Sequence, residues 1–343
     1  MKLILKLCGC LLLCLVLISC QKDISTNLAV QEPLKINPSI TPLWIDNQNV
    51  LFFENVCYGE SQRNLLDILI PTSGKPAAIA IYIHGGGFTS GDKSIALADS
   101  SFRRTIRELL KNNIAFASIN YSYIDNSESE GVLSSLKDCK RALQFLRYYA
   151  PYFHLNKEKV ALIGSSAGGG AALWLGLNED MAKPNDPNPI NQQSTRVQSV
   201  LCTDAQSNYD LLQWHNLVFA EFKMAGFSFK TVKNLVTVPR LLKFYGVDTM
   251  EELYTIAMWT KRTKLNMLLQ ITVDDPELYI TSNKMWSTYP ITMNQLLHHP
   301  YHSKALKDKA DVEGVHGKYF IPSLGIDTRD GESMDQFIIR KLM

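Results

Sequence analysis

Net charge is almost absent from this chain: 35 lysines and arginines stand against 33 aspartates and glutamates, leaving +2 over 343 residues. Binding nucleic acid through its phosphates needs a strong basic field, so nucleic acid is not an expected partner. Cysteine is scarce in any useful arrangement. Of seven, Cys8, Cys10 and Cys14 lie in the first nineteen residues, leaving Cys20, Cys57, Cys139 and Cys202. With Cys20 set aside three remain, an odd number, and no pair has metal-ligand spacing, so neither a disulfide framework nor a metal centre is expected. Cys57, Cys139 and Cys202 read instead as small buried apolar groups. Long hydrophobic runs are also missing: Leu7 to Ile18 is too short to span a bilayer comfortably as a permanent helix. There is no internal repeat.

What the first residues do carry is a targeting pattern. Lys2 and Lys6 form a positive start, Leu7 to Ile18 an apolar core, and Leu17-Ile18-Ser19-Cys20 a small-residue cleavage site, so residues 1–19 should be removed. A cysteine directly after that site resembles the bacterial lipobox. The resemblance implies a lipidated Cys20 that tethers the protein to a bacterial envelope membrane, the outer one, facing periplasm or cell surface. Residues 20–45, polar and with Pro33 and Pro38, read as a flexible tether. Some 320 residues remain, roughly enough for one large domain, 46–343, with an insertion.

Through that domain short apolar runs alternate with helical periodicity, which argues for an α/β fold: a mostly parallel central sheet with helices on both faces. Strands are expected at 50–57, 64–70, 77–83, 114–120, 160–164, 197–203, 265–273 and 317–322, the first two as an antiparallel hairpin. Helices are expected at 95–112, 132–150, 167–178, 300–310 and 331–342. Between 206 and 264 the alternation breaks into an aromatic-rich stretch, read as a helical cap inserted over the pocket.

Two glycine-rich runs carry the chemistry. Gly164-Ser165-Ser166-Ala167-Gly168 follows the apolar run Val160 to Ile163 and opens a helical segment. A sharp strand-to-helix turn of this kind lifts Ser166 above the sheet edge, at the positive end of the helix. His84-Gly85-Gly86-Gly87-Phe88 ends the apolar run Ala77 to Ile83, and its unhindered N–H groups can point at a developing oxyanion. With Asp67 to Pro71, Asn120 to Tyr123 and the helix Asp138 to Arg147, these motifs make residues 50–343 resemble the α/β-hydrolase family. Within it, the likeness is to carboxylesterases of the hormone-sensitive-lipase-like and feruloyl or acetylxylan esterase-like groups. The resemblance implies an oxyanion hole of Gly86, Gly87 and Ala167, and an ester substrate, small or glycan-linked. No metal or organic cofactor is required.

A nucleophilic serine needs a base and a group that orients the base, in the chain order Ser, acid, His for this fold. The resemblance places the acid in an Asp-Pro turn after the strand 265–273, hence Asp275, with Asp274 in reserve. The histidine is harder to find. Related esterases carry it in a loop after the last strand, where this chain has Ile326, and no histidine follows His316. Sorting the others by the sheet end they occupy leaves His298, His299 and His302, which open the helix after the acid strand. His299, or its neighbour His298, is the expected replacement base. The rival reading is a pseudo-hydrolase, which keeps the fold as a binding module without a working histidine.

Overall fold

The computed structural model describes residues 34–43, 49–124 and 130–343. The targeting segment 1–19, Cys20 and the tether as far as residue 33 lie outside the described residues. No helix among the described residues is long and apolar enough to cross a membrane.

Nine strands form one sheet: β1 (Val50–Cys57), β2 (Leu65–Pro71), β3 (Ala77–Ile83), β4 (Ile114–Ile119), β5 (Leu155–Ser165), β6 (Ser199–Thr203), β7 (Glu277–Thr281), β8 (Gly317–Ile321) and β9 (Ile326–Asp327), in the order β1-β2-β4-β3-β5-β6-β7-β8-β9. β2 runs antiparallel to both neighbours, β9 runs antiparallel to β8, and the six strands between are parallel. This is the α/β-hydrolase arrangement, and it brings the carboxyl ends of β3 to β8 to one edge, where ligands gather in such sheets.

The central strands are buried on both faces. Along β3, Ala77, Ile79, Ile81 and Ile83 join one apolar cluster, whereas Ala78, Ala80 and Tyr82 join another on the opposite face. That period of two, with both sets apolar, is why these strands read as continuous hydrophobic runs. Helices Val132–Tyr148, Ala167–Leu177 and Pro300–Glu313 cover the first face, and helices Ser100–Lys111 and Met334–Leu342 the second. Cys139 and Cys202 are buried, but Cys57 is exposed at the end of β1, contrary to expectation. An outward position on this edge strand leaves it nothing to pack against.

Two expectations about the end of the sheet fail, with consequences for the site. Residues 265–273 are not a strand: Leu265 ends a helix, Met267–Gln270 form a short helical turn, and the strand is β7, beginning at Glu277. A short apolar run does not by itself distinguish a buried helical turn from a strand. The position expected for histidine, Ile326, is strand β9. It pairs with Ile321 across a turn, Pro322 to Gly325, that Gly325 closes in the left-handed region at φ 68°. That turn is too tight to project a loop toward Ser166.

Candidate active site

The elbow is built by close approaches. β5 ends at Ser165, Ser166 takes φ 51° and ψ −122°, and the helix begins at Ala167. Such an angle pair is sparsely populated for a non-glycine residue and costs on the order of 1–3 kcal/mol, so the surroundings must impose it. Glycines on either side make that possible. A Cβ on Gly164 would lie 2.3 Å from the Gly168 carbonyl oxygen, and one on Gly168 would lie 2.0 Å from that of Ile83. Ser166 is pinned further by donation of its N–H to the Thr203 carbonyl on β6 at 3.0 Å.

The loop after β3 lies beside this elbow. Gly86 and Gly87 have positive φ, 110° and 62°, and the Gly86 carbonyl accepts from the N–H groups of Thr89 and Ser90. The N–H groups of Gly86, Gly87 and Ala167 find no acceptor among the described residues, the condition expected of an oxyanion hole. His84 organises the loop. Buried and stacked on Tyr121 at 4.3 Å, it bonds the Gly85 carbonyl through Nδ1 at 2.7 Å, while the Tyr121 hydroxyl donates to the His84 carbonyl at 2.8 Å. Farther along, Lys93 forms a buried ion pair with Asp67 at 2.8 Å.

His298, the second of the two expected replacements, is the histidine brought to the serine. Its Nε2 stands 2.8 Å from Ser166 Oγ. It caps the short helix Met293–Leu297, and its Nδ1 faces two oxygens of the residue one turn back: Asn294 Oδ1 at 2.9 Å and the Asn294 carbonyl at 3.2 Å. Two acceptors at Nδ1 place the ring proton there, and Nε2 is left free to accept from the serine hydroxyl. Burial holds the His298 pKa below the usual imidazole value. Asp204 opposes that shift and Lys284 adds to it.

His299 does something else. It caps helix Pro300–Glu313, with Nδ1 accepting from the Tyr301 N–H at 3.2 Å and Nε2 donating to the Thr288 carbonyl at 3.0 Å. Both ring nitrogens are spent on backbone, so His299 is not placed to serve as the base. His302 is likewise committed, between Ser207 and the Leu296 carbonyl, with burial depressing its pKa to about 3.

Asp275 and Asp274 are not at the site. β7 starts two residues after Asp275, so both aspartates stand at its amino end, on the far edge of the sheet. There Asp275 accepts from the Thr272 N–H, and Arg196, preceding β6, reaches both carboxylates. Burial raises the Asp275 pKa to about 6. A strand of this length separates the two edges by roughly 16 Å. The carboxylate at the correct edge is Asp204, just past β6 with φ 50°. Its Oδ1 accepts from the Asn283 N–H at 2.9 Å and the Ser282 hydroxyl at 3.3 Å. It sits within electrostatic reach of His298 but makes no hydrogen bond to it among the described residues.

A cavity of about 460 Å³ opens over Ser166. The segment read as a cap supplies Gln206, Tyr209, Leu211, Trp214, Arg240 and Phe244 to its wall. That segment is tied to the edge that carries Ser166: Gln206 donates to the Leu297 carbonyl at 2.7 Å, beside His298, and the Tyr209 hydroxyl donates to the Ala167 carbonyl at 2.7 Å. A buried bidentate pair, Arg262 with Asp210, braces it internally.

Sheet order, serine elbow and glycine loop define an α/β-hydrolase. More narrowly, the BD-FAE family model matches residues 66–285, more than half of the chain, and the chain belongs to that family. Acetylcholinesterase 4 of Caenorhabditis briggsae is 27% identical over 130 residues, 36% of this chain and 21% of that protein, so the match spans about a fifth of the curated relative. Among solved structures, a truncated carbohydrate esterase from gut microbiota superposes with a TM-score of 0.56 at 18% identity, covering 90% of this chain and 98% of that one. An acetyl ester-xyloside bifunctional hydrolase from Caldicellulosiruptor lactoaceticus gives 0.54 at 17% identity, covering 83% and 93%. At such identities the likeness is one of fold.

Proposed function

We propose that the protein hydrolyses carboxylic esters through an acyl-enzyme. Ser166 Oγ attacks the ester carbonyl carbon as its proton passes to His298 Nε2. The oxyanion that forms is held by the N–H groups of Gly86, Gly87 and Ala167. Collapse breaks the bond to the alcohol, which leaves with the proton from His298, and water then repeats the cycle on the acyl-serine. Asn294 orients His298. The observation that carries this reading is the 2.8 Å contact between Ser166 Oγ and His298 Nε2, under the cavity and beside the glycine loop. The likeness to a carbohydrate esterase and to an acetyl ester-xyloside hydrolase favours small or glycan-linked esters as substrates.

The rival, a binding module on the same fold, has one observation in its favour: an amide and not a carboxylate bonds His298 Nδ1. A strained, glycine-flanked serine elbow speaks against it, because binding alone does not require one. A fluorophosphonate probe decides between the two. Wild-type protein should be labelled at Ser166, and Ser166→Ala should lose labelling and reduce ester turnover on the order of a million-fold. No labelling, with no hydrolysis of acetyl, butyryl or feruloyl esters, would leave the binding module as the better account.

A further inference from the structure

We propose that Arg240 recognises a carboxylate on the substrate, so that the site prefers anionic esters; this rests on the ester-hydrolase reading above. Val236, at the end of helix Phe229–Val236, lines the cavity together with Arg240 and Phe244, which stand one turn apart on helix Val238–Tyr245. Leu241 and Tyr245 of the second helix are buried in the core, and its other cation, Lys243, lies off the cavity-lining stripe. The sequence thus puts an arginine between two apolar residues on the face turned toward substrate.

Among the described residues that guanidinium has no counter-charge. Among the described residues the cavity wall contains no aspartate or glutamate, and Arg240 makes no ion pair and no hydrogen bond. Its Nη2 stands 3.0 Å from where a Cβ on Gly87 would be, so it lies directly against the oxyanion loop in space that the missing side chain leaves open. Much of the neighbouring wall is uncharged and bulky, with Phe88, Tyr209, Trp214 and Phe244. An unpaired guanidinium beside such groups offers a planar fork matched to a carboxylate. Arg240 is exposed at the mouth of the cavity, so it needs no partner within the protein.

Matched substrate pairs test this. With 4-acetoxybenzoate against 4-acetoxybenzamide the charge lies on the alcohol side; with ethyl hydrogen adipate against ethyl adipamate it lies on the acyl side. In at least one pair, wild-type kcat/KM should favour the carboxylate by about tenfold or more, the worth of one charge-assisted hydrogen bond. The pair that responds identifies the side. Arg240→Gln should abolish that ratio, Arg240→Lys should keep part of it, and added salt should shrink it in the wild type. Equal rates within both pairs, or an Arg240→Gln loss shared equally by amide and carboxylate, overturns the anion preference and leaves ester hydrolysis standing. Hydrolysis of none of the four, with no probe labelling of Ser166, overturns both readings.

Discussion

At the scale of single residues, the site turns on adjacent histidines with opposite duties. His299 spends both nitrogens on the backbone at a helix start, whereas His298, one position earlier, closes a different helix and points its free nitrogen at Ser166. His298→Ala should therefore reduce kcat/KM nearly as far as Ser166→Ala, and the double variant should lose little more, since members of a catalytic unit are strongly non-additive. Asn294 presents a subtler case. Its main-chain carbonyl also faces Nδ1 and survives any side-chain change, so the ring keeps its tautomer in Asn294→Ala. The loss should be roughly 10- to 100-fold, short of the 10⁴ typical when the tautomer is wrong. A base must be neutral, so activity falls as pH drops through the His298 pKa. Burial depresses that pKa, which places the acid limb below the ordinary imidazole value of 6.5. Asn294→Asp should move the limb upward, because a carboxylate at Nδ1 stabilises the imidazolium. A pH–rate profile measures the shift, and an unmoved limb would make Asn294 a mere packing residue.

At the scale of elements, β5 and the helix after it act as a unit machined by glycine. Gly168 lets the helix pass against the end of β3. A Cβ there would meet backbone, the carbonyl oxygens of Ile83 at 2.0 Å and His84 at 2.5 Å, so no side-chain adjustment relieves the clash. Gly168→Ala should lower unfolding free energy by about 1–3 kcal/mol, the usual cost of overpacking, and should displace Ser166 from the loop that carries Gly86 and Gly87. Urea denaturation gives the first effect and probe labelling rate the second. Wild-type values in both would mean that the elbow tolerates a wider separation than its geometry indicates. The short helix Met293–Leu297 matters in the same way: Met293, Asn294 and Leu297 line the cavity, and the helix ends with His298 beside Ser166. Its capping box, Thr292 with Gln295, and the bond from Gln206 to Leu297 hold that end in place.

At the scale of the whole molecule, the remaining proposal concerns where the enzyme works. A lipidated Cys20 would keep the domain on an envelope membrane, and Cys20→Ser should release it to the soluble fraction or block its processing; a processed variant still bound to membranes would refute the anchor. The strand-turn-helix motifs at β3 and β5 were legible in the chain because they are local: an apolar strand, small residues at the turn, then helical periodicity. The parallel sheet followed from the same alternation. The partners of Ser166 were not legible, since they depend on which sheet edge a residue reaches. Moving one strand from 265–273 to 277–281 carried Asp275 to the wrong edge, and the β8–β9 turn closed at Ile326 where a histidine loop was expected. Local sequence determined the serine elbow and the glycine loop, where backbone geometry is set by neighbouring residues. Only the tertiary structure decided which of His298 and His299 meets Ser166, because 132 positions of chain separate Ser166 from His298 and the fold alone brings them to 2.8 Å.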